Sequence, residues 1–119
     1  MMRLFAQTLE LKDDPVIIAE YRRLHREVWP EVIASLRSIG IRSMRIFLQG
    51  NRLFMIFEAG DSFNPVCDFQ KYSDSPPCRA WDEFMRTFQQ QVPGAHEGQW
   101  WTSMEEVFDL GWFPESKEA

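Results

Sequence analysis

The stretch Ile41-Arg42-Ser43-Met44-Arg45-Ile46-Phe47-Leu48-Gln49-Gly50-Asn51-Arg52-Leu53-Phe54-Met55-Ile56-Phe57-Glu58-Ala59 decides the fold. It reads as two strands, Ile41 to Gln49 and Arg52 to Ala59, joined by Gly50-Asn51, a two-residue turn whose residues tolerate positive φ. Alternation along the second strand puts Leu53, Met55, Phe57 and Ala59 on one side and Phe54 and Ile56 on the other. A sheet with one solvated face shows apolar residues on one set only. Here both sets are largely apolar, so the hairpin predicts a sheet covered on both faces.

Working outward, Leu4 to Leu11 is a further half-buried strand, with Phe5, Gln7, Leu9 and Leu11 set against Ala6, Thr8 and Glu10. Asp13-Asp14 offer an N-cap ahead of Pro15, and the helix that follows is expected to reach Ile39-Gly40, kinked or split by Pro30. Beyond the hairpin, residues 60–77 read as a loop with one helical turn near Val66 to Tyr72. A second long helix is expected from Pro77 to about Gln91, with Trp81, Phe84, Met85 and Phe88 in helical spacing. Pro93-Gly94 ends it. The last strand is placed at Ser103 to Leu110, followed by Gly111-Trp112-Phe113-Pro114 and a frayed tail, Glu115 to Ala119.

The order β-α-β-β-α-β specifies an α+β ferredoxin-like sandwich, with both helical segments on one face of a four-stranded sheet. The other face is apolar as well, and burying it against a second copy gives a two-fold homodimer of the dimeric α/β-barrel type. Residues 1–119 form one domain, with 111–119 as a C-terminal extension. A chain 45% hydrophobic and 14% aromatic has ample material for one core.

A net charge of −5 argues against nucleic-acid binding, which needs a basic surface, and the Arg22-Arg23-x-x-Arg26 cluster is interleaved with Glu20, Glu27 and Glu31. No segment approaches the length of a membrane span, and Met1 to Gln7 does not read as a secretory signal, so the expected location is the cytoplasm. Cys67 and Cys78 lack metal-ligand spacing and read as reduced, packed thiols; no metal site is expected.

The chemistry-bearing run is Tyr21-Arg22-Arg23-Leu24-His25-Arg26-Glu27-Val28-Trp29-Pro30-Glu31. Tyr21 and His25, four apart on a helix, share one face with Trp29 a further turn on. An imidazole exchanges protons near neutral pH, so His25 is the candidate acid or base, whereas His96 reads as a solvated loop histidine. Read from the residues alone, His25 is equally a hydrogen-bonded core histidine, and Trp29 and Trp81 are equally core anchors. Five tryptophans, including Trp100 and Trp101, supply flat platforms for a sugar ring, with Glu58, Glu97, Glu105 and Glu106 as possible hydroxyl acceptors. Nucleotide-binding glycine motifs are absent, so no cofactor is expected.

With these residues in place, the chain resembles the L-rhamnose and L-fucose mutarotase family. The similarity lies in Glu20-Tyr21-x-Arg23-x-His25-x-x-Val28-Trp29-Pro30-Glu31, in Leu36-x-x-x-Gly40, in Cys78-x-x-Trp81 with Met85, and in Glu106-Val107-Phe108-x-Leu110. The resemblance implies a cofactor-free isomerase that interconverts the anomers of a 6-deoxy-L-hexose, with His25 as proton donor, Tyr21 beside it and Trp81 stacking on the sugar. Met44 stands where rhamnose-type members carry a tyrosine, and Asp82 stands where they carry a second tryptophan. Gly98-Gln99-Trp100-Trp101-x-x-Met104-Glu105 looks like the L-fucose branch. Two other readings stay open on the sequence: a monooxygenase of the similar dimeric α/β-barrel type, and a non-catalytic sugar-binding dimer.

Overall fold

Ten backbone-paired residues, Met2–Leu11, form β1 at the centre of an antiparallel sheet in a computed structural model that describes residues 2–115. The hairpin forms as read, with β2 at Ile41–Gln49 and β3 at Arg52–Gly60. Gly50 takes φ +59°, the left-handed value that the first turn residue of a type II′ hairpin requires, and among the described residues no non-glycine has positive φ. Asn51 then fastens the hairpin tip to β1. Its Nδ2 donates to the Leu11 carbonyl at 2.9 Å, and its own carbonyl accepts from the Leu11 N–H at 2.7 Å.

The helical face is built from short pieces. α1 spans Pro15–Leu24, with Asp14 accepting from the Val16 N–H as N-cap, and α2 spans Pro30–Ser38. Pro30 splits the predicted helix rather than kinking it, because a proline fits the first turn of a new helix and not the interior of an old one. The loop predicted over 60–77 holds a full helix, α3 at Pro65–Asp74, capped by Asn64 accepting from Val66 and Cys67. Its composition is that of a loop, but the Asn-Pro start supplies both a cap and a first-turn residue. α4 runs Pro76–Arg86 and stops short of the expected Gln91. Thr87 turns its hydroxyl onto the Phe84 carbonyl, and the next residues leave the helix for the sheet.

The sheet order is β2-β3-β1-β4, the ferredoxin-like arrangement, and its fourth position is shared. β4, Gln89–Gln90, pairs with Glu10 and Leu11, while β5, Thr102–Ser103, pairs with Gln7 and Thr8 on the same edge of β1. The strand expected over Ser103 to Leu110 is therefore corrected: apart from Ser103 itself, that segment leaves the sheet. One bond, Met104 N–H to the Ala6 carbonyl at 2.9 Å, extends the pairing before the chain departs into a 3₁₀ turn at Leu110–Trp112. Residues 116–119 of the expected tail lie outside the described residues.

Leu9, Leu11, Leu53, Tyr21, Trp81 and Met85 are among the residues of one buried cluster, and Ile41, Met55, Phe57 and Phe63 of a second. Both lie between the sheet and the helices. Cys78 is sealed in the first, whereas Cys67 is exposed on α3, so the two thiols do not pack together. The opposite sheet face carries Leu4, Ala6, Phe47, Phe54 and Ile56, aligned by the strand register, with Leu4 60% and Phe47 50% exposed.

Candidate active site

A cavity of about 610 Å³ opens between the helical layer and the covered face of the sheet. It gathers Tyr21, His25, Met44, Trp81, Trp100 and Trp101 from four separate parts of the chain. Met44 reaches it because the β2–β3 register skips a residue between Ile41 and Ser43. That bulge turns Met44 to pair with Phe57 on the helical side. Trp29 is not among the lining residues. It packs edge-on against Trp81 with ring centres 5.1 Å apart and lies over Phe84 at 6.5 Å, supporting the wall from behind.

His25 ends α1 rather than sitting within it. Its Nδ1 lies 2.9 Å from the Tyr21 carbonyl, an acceptor, which places the ring proton on Nδ1 and leaves the Nε2 lone pair free. Burial holds the imidazole pKa below its ordinary value, with the Tyr21 carbonyl opposing that shift. The ring is neutral at pH 7 and available as a base. Two aromatic neighbours hold the ring: Tyr21 stacks on it at 4.1 Å and Trp81 meets it in a T-shaped contact at 5.7 Å.

Tyr21 is buried, and desolvation pushes its phenol up to about 12, against the opposing donation from Gln89 and with help from the charge of Asp82. It is a donor at neutral pH. Gln89 Nε2 reaches its oxygen at 3.4 Å, so β4 helps to position the phenol.

Among the lining residues outside the sequence-level candidates are Tyr72 of α3, Asp82 of α4 and Gln89. Tyr72 Oη donates to Asp82 Oδ1 at 3.0 Å. The carboxylate in this cavity is thus Asp82, while Glu58, Glu97, Glu105 and Glu106 are not among its lining residues. The signal for Asp82 was its position, directly after Trp81 on a helix whose apolar face is continuous. Tyr72 gave no usable signal, because only one helical turn near Val66 to Tyr72 was legible and not the full helix that packs it beside α4. Arg23 is occupied on the surface by Glu20 and Glu27, and His96 is exposed in a loop. Among the described residues no three His, Cys, Asp or Glu side chains converge as a metal site.

A profile of the L-rhamnose mutarotase family matches residues 4–110. The chain belongs to the L-rhamnose mutarotase family. Its mutarotase relatives include an L-fucose mutarotase of Xanthomonas campestris, 38% identical over 92% of this chain and 89% of the relative. A UPF0734 protein of Dictyostelium discoideum is 45% identical over 95% of this chain and 94% of its own length. Among solved structures, an L-rhamnose mutarotase from Formosa agariphila superposes with a TM-score of 0.68 at 21% identity, covering 91% of this chain and 98% of that one. The family consists of isomerases that interconvert sugar anomers, and the ferredoxin-like fold is common to it and this chain. No helix among the described residues is long and apolar enough to cross a membrane.

Proposed function

We propose that this chain interconverts the anomers of a 6-deoxy-L-hexose, with L-fucose favoured over L-rhamnose, through proton transfer at His25. The observation that carries the reading is the His25 ring, which is held at Nδ1 by the Tyr21 carbonyl, has its pKa lowered by burial, and lines a cavity walled by Tyr21, Trp81 and Trp101. Mutarotation moves one proton off the anomeric hydroxyl and one onto the ring oxygen, with no net change. Nε2 takes the hydroxyl proton as the C1–O5 bond breaks, and the imidazolium returns a proton to the released ring oxygen. Rotation about C1–C2 turns the carbonyl face, and the same transfers in reverse close the other anomer. Tyr21, a phenol at neutral pH, donates to a sugar oxygen during these steps, and Trp81, backed by Trp29, forms the flat apolar wall for the ring.

The L-fucose preference is supported by the Xanthomonas relative, whose match runs nearly the whole length of both chains. Saturation-transfer NMR on L-fucose and L-rhamnose tests the reading directly. His25→Ala is expected to lose about 10²–10⁴-fold in exchange rate with the fold intact. Undiminished exchange in that variant removes the assignment.

The same reading includes a homodimer. Support comes from the apolar stripe Leu4, Ala6, Phe47, Phe54 and Ile56 on the uncovered sheet face. The arm over residues 104–113 adds to it, since Val107, Phe108, Leu110, Trp112 and Phe113 are all exposed and none joins either core cluster. A radius of gyration of 16.3 Å exceeds the roughly 13.5 Å of a compact chain this long. A second copy accounts for both apolar surfaces at once.

A further inference from the structure

Asp82 has one oxygen committed and one unassigned. Oδ1 accepts from Tyr72 at 3.0 Å, Oδ2 has no hydrogen-bond partner among the described residues, and none of their buried side-chain oxygens is both partnerless and sealed from solvent, so Oδ2 is solvent-accessible on a residue that lines the cavity. Tyr72 itself is buried, which fixes the phenol and, through it, the carboxylate. Asp82 follows Trp81 on α4, so it borders the apolar wall on which a ring would lie. Arg86, one turn further on and also lining the cavity, is an opposite charge that acts on this carboxylate.

A carboxylate held in this way is an acceptor for a hydroxyl, and nothing in the proton transfer at His25 requires it. We propose that Asp82, positioned by Tyr72, chooses between 6-deoxy-L-hexoses by accepting a hydrogen bond from a ring hydroxyl whose orientation differs among them. The assignment rests on the sugar reading above. L-Fucose and L-rhamnose differ in the configuration of their C2 and C4 hydroxyls, so an acceptor at one fixed point meets a donor in one sugar and none in the other. A site built to bond a substrate hydroxyl rejects a sugar that leaves the buried acceptor unpaired, by far more than an apolar wall discriminates.

The test is kcat and KM for anomer exchange of both sugars by NMR, in the full chain and in Asp82→Ala and Tyr72→Phe. Asp82→Ala is expected to shift the ratio of kcat/KM between the two sugars by about 10–100-fold, chiefly through the KM of the preferred one. Tyr72→Phe keeps the carboxylate and loses its orientation, so the ratio moves the same way by less. Equal losses for both sugars, or a ratio held within twofold in folded protein, overturn the assignment while leaving the exchange reaction in place. A wild-type chain that accelerates neither sugar overturns the sugar reading and this assignment together. Asp82→Leu, which removes the acceptor and keeps the volume, supplies the same ratio if the alanine variant does not fold.

Discussion

The two faces of the hairpin have nearly the same chemistry and opposite situations. On the helical side, Leu53, Met55, Phe57 and Ala59 are sealed beneath α1–α4. On the other side, Phe47, Phe54 and Ile56 join neither core cluster among the described residues, and the arm from Met104 to Phe113 repeats the pattern with exposed Phe108, Leu110 and Trp112. An apolar run therefore says that a surface is covered and not which molecule covers it. Within one chain the covering is paid for by folding; between two it depends on concentration.

The strongest test of that contrast is Phe57→Ala, which opens a cavity in a core the chain fills by itself. It is expected to cost about 3–5 kcal/mol, read from urea unfolding at any protein concentration. Exchanging Phe108, Trp112 and Phe113 together for serine is expected to weaken self-association about 10-fold or more in sedimentation equilibrium, with far-UV circular dichroism unchanged. Should the triple variant instead unfold independently of concentration, the arm belongs to its own chain and the contrast fails.

The pH behaviour separates two groups of one cavity by sign. The His25 pKa is lowered on folding, so the unfolded chain binds the proton more tightly. Stability present above pH 6.5 is lost as the pH falls through the lowered native pKa, and the acid limb of kcat/KM follows the same group below 6.5. The Asp82 pKa is raised, chiefly by burial, so the native state binds its proton more tightly and stability declines as the pH rises from 3.8 through the raised value. Asp82→Asn is accordingly expected to raise Tm at pH 7 by up to about 5 °C, whereas a carboxylate kept for structure would lower it. The acid limb is expected to persist in Asp82→Asn and to vanish with the residual rate in His25→Ala.

The hairpin, β1 and the split at Pro30 were legible because each is written in local chemistry: alternation, a glycine turn, a proline at a helix start. α3 was hidden by residues that serve equally in loops, since Asn64, Pro65, Ser73 and Asp74 cap a helix as readily as they avoid one. The end of α4 was hidden by Phe88, which keeps helical spacing with Trp81 and Met85 after the backbone has turned to pair with Leu11. At the site, Tyr21 and His25 could be paired from spacing because both lie on one helix turn. Asp82 and Tyr72 meet across two helices, Trp29 withdraws behind Trp81, and no local pattern encodes either outcome.

The bond from His25 Nδ1 to the Tyr21 carbonyl carries a last consequence. That proton stays on Nδ1 whether or not Nε2 is loaded, so the ring and the end of α1 present the same geometry in both states. Gaining and losing a proton at Nε2 requires no rotation, no new partner and no shift of the helix. In the proposed proton transfer, the reorganisation that a free imidazole in water would undergo is thereby made in advance, when the chain folds.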